Sequence, residues 1–415
     1  MVARAMALHT PPAIEPEWES VLAKGLGRSV DPRAFAVMVE RLSRLYNGEP
    51  DAVPLARADA LAARALFWFP RDLRKVALPA HELFAAGALP QRPLRIVDLG
   101  AGLGATSLGW LRALRETPVR TGRIDALDTD AEALSRMQSI AKEAARVSLL
   151  PQLPPITTTV ADFRDGTAIR EALRSDGVPC DVLLFGSALV EATRDAGDET
   201  ARGALVSKYV RDAIDAVNLA ADGVVVIVEP ATRNETRALH HARAAVIAAG
   251  VHVFAPCTHQ GACPMLERDR DWCHEDLAAD LPEWLVPTAR AAGLRWEGLT
   301  FSYLVLQRTA QHSVGDLAAQ PGYVPARLVS QPRATKGKTE AFASVAGRGA
   351  RLMQLDRSVK RDGGAHRALA DYSRGAVVAL REEVLAEEGG AVRVEPGDVI
   401  GPHPHDPPRP SGSPR

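Results

Sequence analysis

Apolar residues recur at i, i+3 and i+4 in "PEWESVLAKGL", "PRAFAVMVERLSRLY" and "ADALAARALFWFP", the spacing of one buried helix face. "HELFAAGALP" stops at Gly87 and Pro90, a helix end. Residues 1–90 are therefore expected to form a helical N-terminal domain. From Leu94 the period changes. "LRIVDLG" is a continuous apolar run of the kind buried on both faces of a sheet, and "ATSLGWLRALRET" after it is helical. "RIDALDTD", "ITTTVADF", "CDVLLFGSALV", "DGVVVIVEPA", "VHVFAP" and "LTFSYLVLQR" read as further strands. Between them lie the helical segments "AEALSRMQSIAKEAA", "ALVSKYVRDAIDAVNLA", "ETRALHHARAAVIAAG" and "PEWLVPTARAAGL". Repeated strand–helix units predict an α/β fold, a mostly parallel seven-stranded sheet with helices on both faces, over 91–310. After Gln320 short strand candidates with Gly and Pro punctuation predict a small β-rich module over 321–400. The tail 401–415, "GPHPHDPPRPSGSPR", is rich in Pro, Ser and Gly and is expected to be disordered.

The chain has 415 residues, a net charge of −1 and no apolar run near the roughly 20 residues of a membrane span. "MVARAMALHTPP" lacks an apolar signal region and a cleavage site, so the protein is expected to be cytoplasmic. The near-neutral total hides an asymmetry. Tyr323 to Arg374 holds 11 Lys/Arg against 4 Asp/Glu, a basic patch suited to phosphate backbones. Arg333, Lys336, Lys338, Arg357, Lys360 and Arg361 are the expected RNA contacts.

"VDLGAGLGATSLG" puts Gly100, Gly102 and Gly104 between a strand and a helix, where a backbone without Cβ atoms turns sharply and approaches a ligand. The dinucleotide pattern G-x-G-x-x-G would need glycine at Ala105 and is not met. The run resembles the first motif of class I S-adenosylmethionine-dependent methyltransferases. That resemblance implies a loop wrapped around the methionine and ribose of the cofactor, with Asp98 preceding it. It also implies Asp128, with Asp130 as its rival, on the ribose hydroxyls and Asp162 beside the adenine amine. The Asn/Asp-Pro-Pro-aromatic turn of many amine methyltransferases is replaced by "LLFGSALVEA", whose nearest polar groups, Ser187 and Glu191, suit capping or orienting. Cys257 follows the sixth strand rather than the fourth, too far from a methyl donor to serve as the thiolate nucleophile of a cytosine methyltransferase. No catalytic residue is assigned.

Three of the four cysteines fall in "APCTHQGACPMLERDRDWCHED", residues 255–276, as Cys257, Cys263 and Cys273. Clustered cysteines in a reducing compartment point to metal rather than to disulfides. The block resembles that of the mitochondrial small-ribosomal-subunit methyltransferase-like assembly factors and their bacterial relatives, carried here by Cys257, His259, Cys263, Pro264, Met265, Trp272, Cys273 and His274. "FWFPRDLRKV" and "DRSVKRDGGAHRALADYSRG" are similar to the same family, so the resemblance spans about residues 50–375. It implies a four-iron–four-sulfur cluster on four cysteines, the fourth supplied by the C-terminal module, and docking on small-subunit rRNA. Ser344 stands where that fourth cysteine is expected, and Cys180 lies at the opposite end of the sheet as a buried small hydrophobe. Ser344 ligating through oxygen, His259 or His274 completing a Cys3His site that suits zinc as well as iron, and an open iron all remain, with iron–sulfur ahead of zinc. The expected protein binds S-adenosylmethionine, acts on or assists the small ribosomal subunit, and is a monomer when free. An assembly factor without turnover is the alternative.

Overall fold

The computed structural model describes residues 11–27, 31–49, 51–173, 177–385 and 390–401. The expectation of a disordered tail therefore falls, after Gly401, outside the described residues. The central sheet has eight strands. They are β1 (Leu94–Leu99), β2 (Thr121–Asp128), β3 (Ile156–Val160), β4 (Cys180–Gly186), β5 (Leu219–Glu229), β6 (His252–Ala255), β7 (Glu275–Leu277) and β8 (Leu299–Gln307). The order is β3-β2-β1-β4-β5-β8-β6, with β7 also paired to β8. β1 to β5 run parallel, whereas β8 is antiparallel to β5, β6 and β7. This is the expected mostly parallel seven-stranded sheet with one short addition: β7 lies at the end of the cysteine-rich segment, where polar residues hide a three-residue strand from periodicity.

β1 is buried at every position and β4 at all but its last, as their unbroken apolar runs require. On one face the helices Glu199–Ala216 and Arg233–Ala248 cover Leu183, Phe185, Val225 and Ile227. On the other, the helices Ala77–Ala85 and Ala105–Leu114 cover Ile96, Ile124, Leu184 and Val226. The helices before β1 share cores with the helices that flank the sheet. Trp18, Val21 and Leu22 pack with Ile140 and Ala144, and Phe35, Val39 and Leu42 pack with Leu285 and Ala289.

The C-terminal module is a second sheet of β9 (Tyr323–Leu328), β10 (Arg333–Thr335), β11 (Lys338–Val345), β12 (Arg348–Leu355), β13 (Val377–Arg381), β14 (Ala391–Arg393) and β15 (Val399–Ile400), in the order β14-β12-β11-β9-β13-β15, with β10 on β11. Its inner face, including Leu328, Ala341, Val345, Leu352 and Val378, has its own core. One buried ion network ties module, loop and body together. Arg327 on β9 donates to Glu82 (2.7 Å) and to Glu275 on β7 (3.0 Å), and the Tyr303 hydroxyl on β8 donates to Glu82 (2.6 Å).

Candidate cofactor cavity and cysteine loop

A cavity of about 810 Å³ opens at the C-terminal ends of β1, β2, β4 and β5. In an open α/β sheet this is where loops diverge and a ligand enters. Gly100 and Gly102 are on its wall; Gly104 is not. The three glycines answer to different constraints. A Cβ on Gly100 would lie 2.4 Å from Ala188 Cβ, and one on Gly104 would lie 2.5 Å from Met137 Cγ, so close packing demands both. Gly102 (φ +51°) faces the cavity, where a Cβ would meet the Arg64 guanidinium at 2.8 Å. Its N–H donates to Asp128 Oδ2 at 2.8 Å.

Asp128 ends β2 on the cavity wall, and its Oδ1 accepts the Asp130 N–H at 2.8 Å. Each carboxylate oxygen so engaged keeps a free lone pair. Asp130, the rival, uses its carboxylate elsewhere: it caps the helix Ala131–Arg146 through the N–H groups of Glu132 and Ala133 and pairs with Arg57 at 2.6 Å. Asp162 also lines the cavity, held by the Arg164 guanidinium at 2.6 Å, which keeps its carboxyl below the usual carboxylate range. Asp98 does not reach the cavity wall. It is buried beneath the loop, accepts from the Ser107 hydroxyl, and burial pushes its pKa up to about 7. Ser187 and Glu191 both line the cavity, and Ser187 sits at φ +56°, rare for a residue with a Cβ. Behind them Glu229 is buried at the end of β5. Its Oε1 accepts the Leu189 N–H at 3.0 Å, Oε2 has no partner, and burial pushes it up to about 8.

The three cysteines of the loop come together. Cys257, Cys263 and Cys273 line one small cavity of about 40 Å³ with Ser344, His274, Glu275, Tyr303 and Arg327. His259 stands beside it, its Nε2 3.0 Å from the Ser344 hydroxyl. Burial pushes Cys263 up to about 11 and raises Cys273 as well, and the neighbouring sulfurs oppose one another's ionisation. Among the described residues no three His, Cys, Asp or Glu side chains converge as a single ion requires. The donor set around this one space is three thiols and a hydroxyl, and thiols are soft metal donors. His274 reaches both cavities, and its Nε2 lies 2.6 Å from Arg374 Nη1. Cys180 is buried at the start of β4, away from this group.

Sequence reasoning missed what holds the loop. On the helix Arg233–Ala248, Arg237 donates to the carbonyls of Met265, Arg268 and Asp271 (3.0 Å each), and Arg243 donates to those of Gly261 (2.8 Å) and His259 (2.7 Å). The Trp272 indole donates to the Ala231 carbonyl at 3.1 Å. Two buried arginines in an amphipathic helix were the available signal.

Residues 204–374 match the family model for the mitochondrial small ribosomal subunit protein Rsm22. The match takes in the cysteine loop, Ser344 and the basic segment. No curated protein matches the chain. Among solved structures, the chain is similar to the rRNA methyltransferase aviRa from Streptomyces viridochromogenes (20% identity over 37% of this chain and 73% of that one, TM-score 0.26). It is also similar to a SAM-dependent methyltransferase from Agrobacterium tumefaciens (14%, 57% and 63%, 0.32) and to the plantazolicin methyltransferase BpumL in complex with SAH (10%, 67% and 98%, 0.34).

The basic residues of the module also converge. Lys336 sits in the turn between β10 and β11, and the Asp356 N–H donates to the Gly337 carbonyl at 3.0 Å, setting the helix Asp356–Asp362 against that turn. Lys336 on that turn and Arg357, Lys360 and Arg361 on that helix are exposed, with Arg333 exposed on β10 and Lys338 half-buried on β11. Lys338 pairs with Glu340 (3.1 Å), both half-buried, and the exposed Arg361 pairs with Glu395 (3.3 Å), a surface contact that holds little energy.

Proposed function

We propose that the protein is an S-adenosylmethionine-binding, methyltransferase-like factor that acts on the rRNA of the small ribosomal subunit in the cytoplasm. The carrying observation is the cavity at the strand ends, in which Gly102, Asp128 and Asp162 face one space as the methyltransferase resemblance requires. The match of residues 204–374 to Rsm22 supports the ribosomal assignment, and the clustered Lys336, Lys338, Arg357, Lys360 and Arg361, with Arg333 near by, support RNA docking. Bound S-adenosylmethionine would supply an electrophilic methyl group for in-line displacement. The chain would orient it: Asp128 on the ribose hydroxyls, Asp162 at the adenine, the glycine loop against the methionine part. Labelled methyl transfer to immature small subunits, with Gly102→Arg as control, tests the reading; label that does not depend on the intact loop refutes it. Binding without turnover is the second reading, favoured by the absence of a Pro-Pro turn after β4 and by Ser187 and Glu191 in its place.

The same reading assigns an iron–sulfur centre, ahead of zinc, to Cys257, Cys263 and Cys273, with Ser344, His259 or His274 as the remaining ligand. Three thiols lining one cavity, a soft donor set, support the assignment. Such a centre would fix the loop between the sheet and the basic module. Anaerobic iron, zinc and sulfide analysis of wild type beside Ser344→Cys and His274→Ala tests it. Protein without iron and sulfide sinks the assignment.

A further inference from the structure

The conspicuous segment "FWFPRDLRKV" has no role so far. It belongs to a helix that starts as Arg57–Ala63, widens into a π-helical stretch at Arg64–Trp68 and ends as Phe69–Asp72. π-Helical turns often mark functional sites because the extra residue re-aims the side chains that follow. Here Arg64, Trp68, Arg71 and Lys75, three or four residues apart, all line the large cavity from the side opposite the sheet. Tyr46 joins them, its ring edge-on to Trp68 at 5.6 Å.

Two features set this wall apart from the cofactor wall. It carries aromatic faces, and its cations are under-used. Lys75 pairs with Asp72 at 2.7 Å, but the Arg71 side chain makes no ion pair or hydrogen bond among the described residues, and neither does that of Arg194, an exposed residue that lines the same cavity just after the short helix Leu189–Ala192. Arg71 is half-buried, where a guanidinium without an acceptor favours an anion at its side, and Arg194 adds a second positive charge at the rim. The cavity is also large, toward the upper end for small-molecule sites, so one ligand on the glycine loop leaves the helical wall open.

We propose that this ridge is the acceptor half of the site and takes one nucleotide turned out of single-stranded RNA. The base lies against Trp68 and Tyr46, and the phosphate sits on Arg71 and Arg194. Arg64, above Gly102, separates the two halves. The proposal rests on the RNA-directed reading above and names which part of the RNA enters the body. Aromatic stacking supplies affinity without demanding one base, and the guanidinium pair selects a nucleotide over a free base.

The test uses the full chain saturated with S-adenosylhomocysteine, which fills the cofactor half, and titrates uridine and uridine 5′-monophosphate by calorimetry. The monophosphate should bind more tightly than the nucleoside. Trp68→Leu should weaken both by about 5- to 150-fold, the range of base–aromatic stacking of about 1–3 kcal/mol. Arg71→Gln should weaken the monophosphate at least about tenfold, as loss of one charged hydrogen bond predicts, and leave uridine unchanged. If Trp68→Leu does not fold, the Arg71→Gln contrast carries the test alone. No saturable binding by wild type, or variants that match it with both ligands, overturns the proposal. A chain that takes the monophosphate in this pattern yet binds no small-subunit RNA sinks the docking surface and supports the ridge. One that takes the monophosphate in this pattern but binds no S-adenosylhomocysteine sinks the donor site and leaves the ridge standing.

Discussion

Replacing Arg327 by Met probes the joint on which the whole arrangement depends. The guanidinium is 2% exposed and the carboxylates of Glu82 and Glu275 are 1% and 3% exposed, so solvent screens none of the three. Removing one partner of a buried ion pair costs about 3–5 kcal/mol, because the remaining charge has no water to turn to. Here two carboxylates would be stranded, with only the Tyr303 hydroxyl, 2.6 Å from Glu82, left as donor. The expected loss is at the upper end of that range. It should grow with pH. Burial already raises the Glu82 pKa, and without Arg327 it rises further. A carboxyl whose folded pKa exceeds its unfolded value binds more protons in the native state, so stability present below the unfolded pKa is lost as pH climbs to the folded one. Urea unfolding followed by circular dichroism at pH 5 and pH 8 measures this. The triple variant Arg327→Met, Glu82→Gln, Glu275→Gln, which strands no charge, should recover most of the loss. Hydrogen exchange should show the largest loss of protection at β7 and β9, the strands that carry Glu275 and Arg327. A deficit below about 1 kcal/mol, independent of pH and not rescued by the glutamines, would refute the account of the joint.

Four other expectations follow from the site. Asp128→Ala should weaken S-adenosylhomocysteine about 10- to 150-fold, the loss of hydrogen bonds to a charged group, and an affinity within twofold of wild type would remove Asp128 from the cofactor wall. Wild-type stability should fall as pH rises from 5 to 8.5, because native Asp98 and Glu229 keep protons up to about 7 and about 8 that the unfolded chain has released near 4. Glu229→Gln should flatten that slope; an unchanged slope means the carboxyl is ionised in the fold. Neutralising Lys336, Lys360 and Arg361 together should reduce the slope of log K for rRNA against log salt by about 2–3, and an unaltered slope places the RNA elsewhere. Gly100→Ala should destabilise the fold by more than about 1–3 kcal/mol, since φ +72° and contact with Ala188 both oppose a Cβ, and a neutral result in the urea assay contradicts that packing.

The sequence by itself determined what period, loop chemistry and composition encode. Unbroken apolar runs at β1, β4 and β5 fixed a two-faced sheet, and Gly100 and Gly102 after β1 located the cavity. The cysteine loop and the basic run were visible as composition. Tertiary structure decided what depends on distant segments meeting. The helices of the first ninety residues pack on one another and on the helices that flank the sheet, which brings Arg64, Trp68 and Arg71 to the cavity wall. Both Asp128 and Asp130 line the cavity, and only the fold shows that the Asp130 carboxylate also caps a helix and pairs with Arg57, more than 70 residues away. Ser344 reaches His259, and Arg327 reaches Glu82, only once the second sheet docks. Periodicity reports which face of an element is buried, but not what it is buried against, and a site assembled from several elements lies in that missing information.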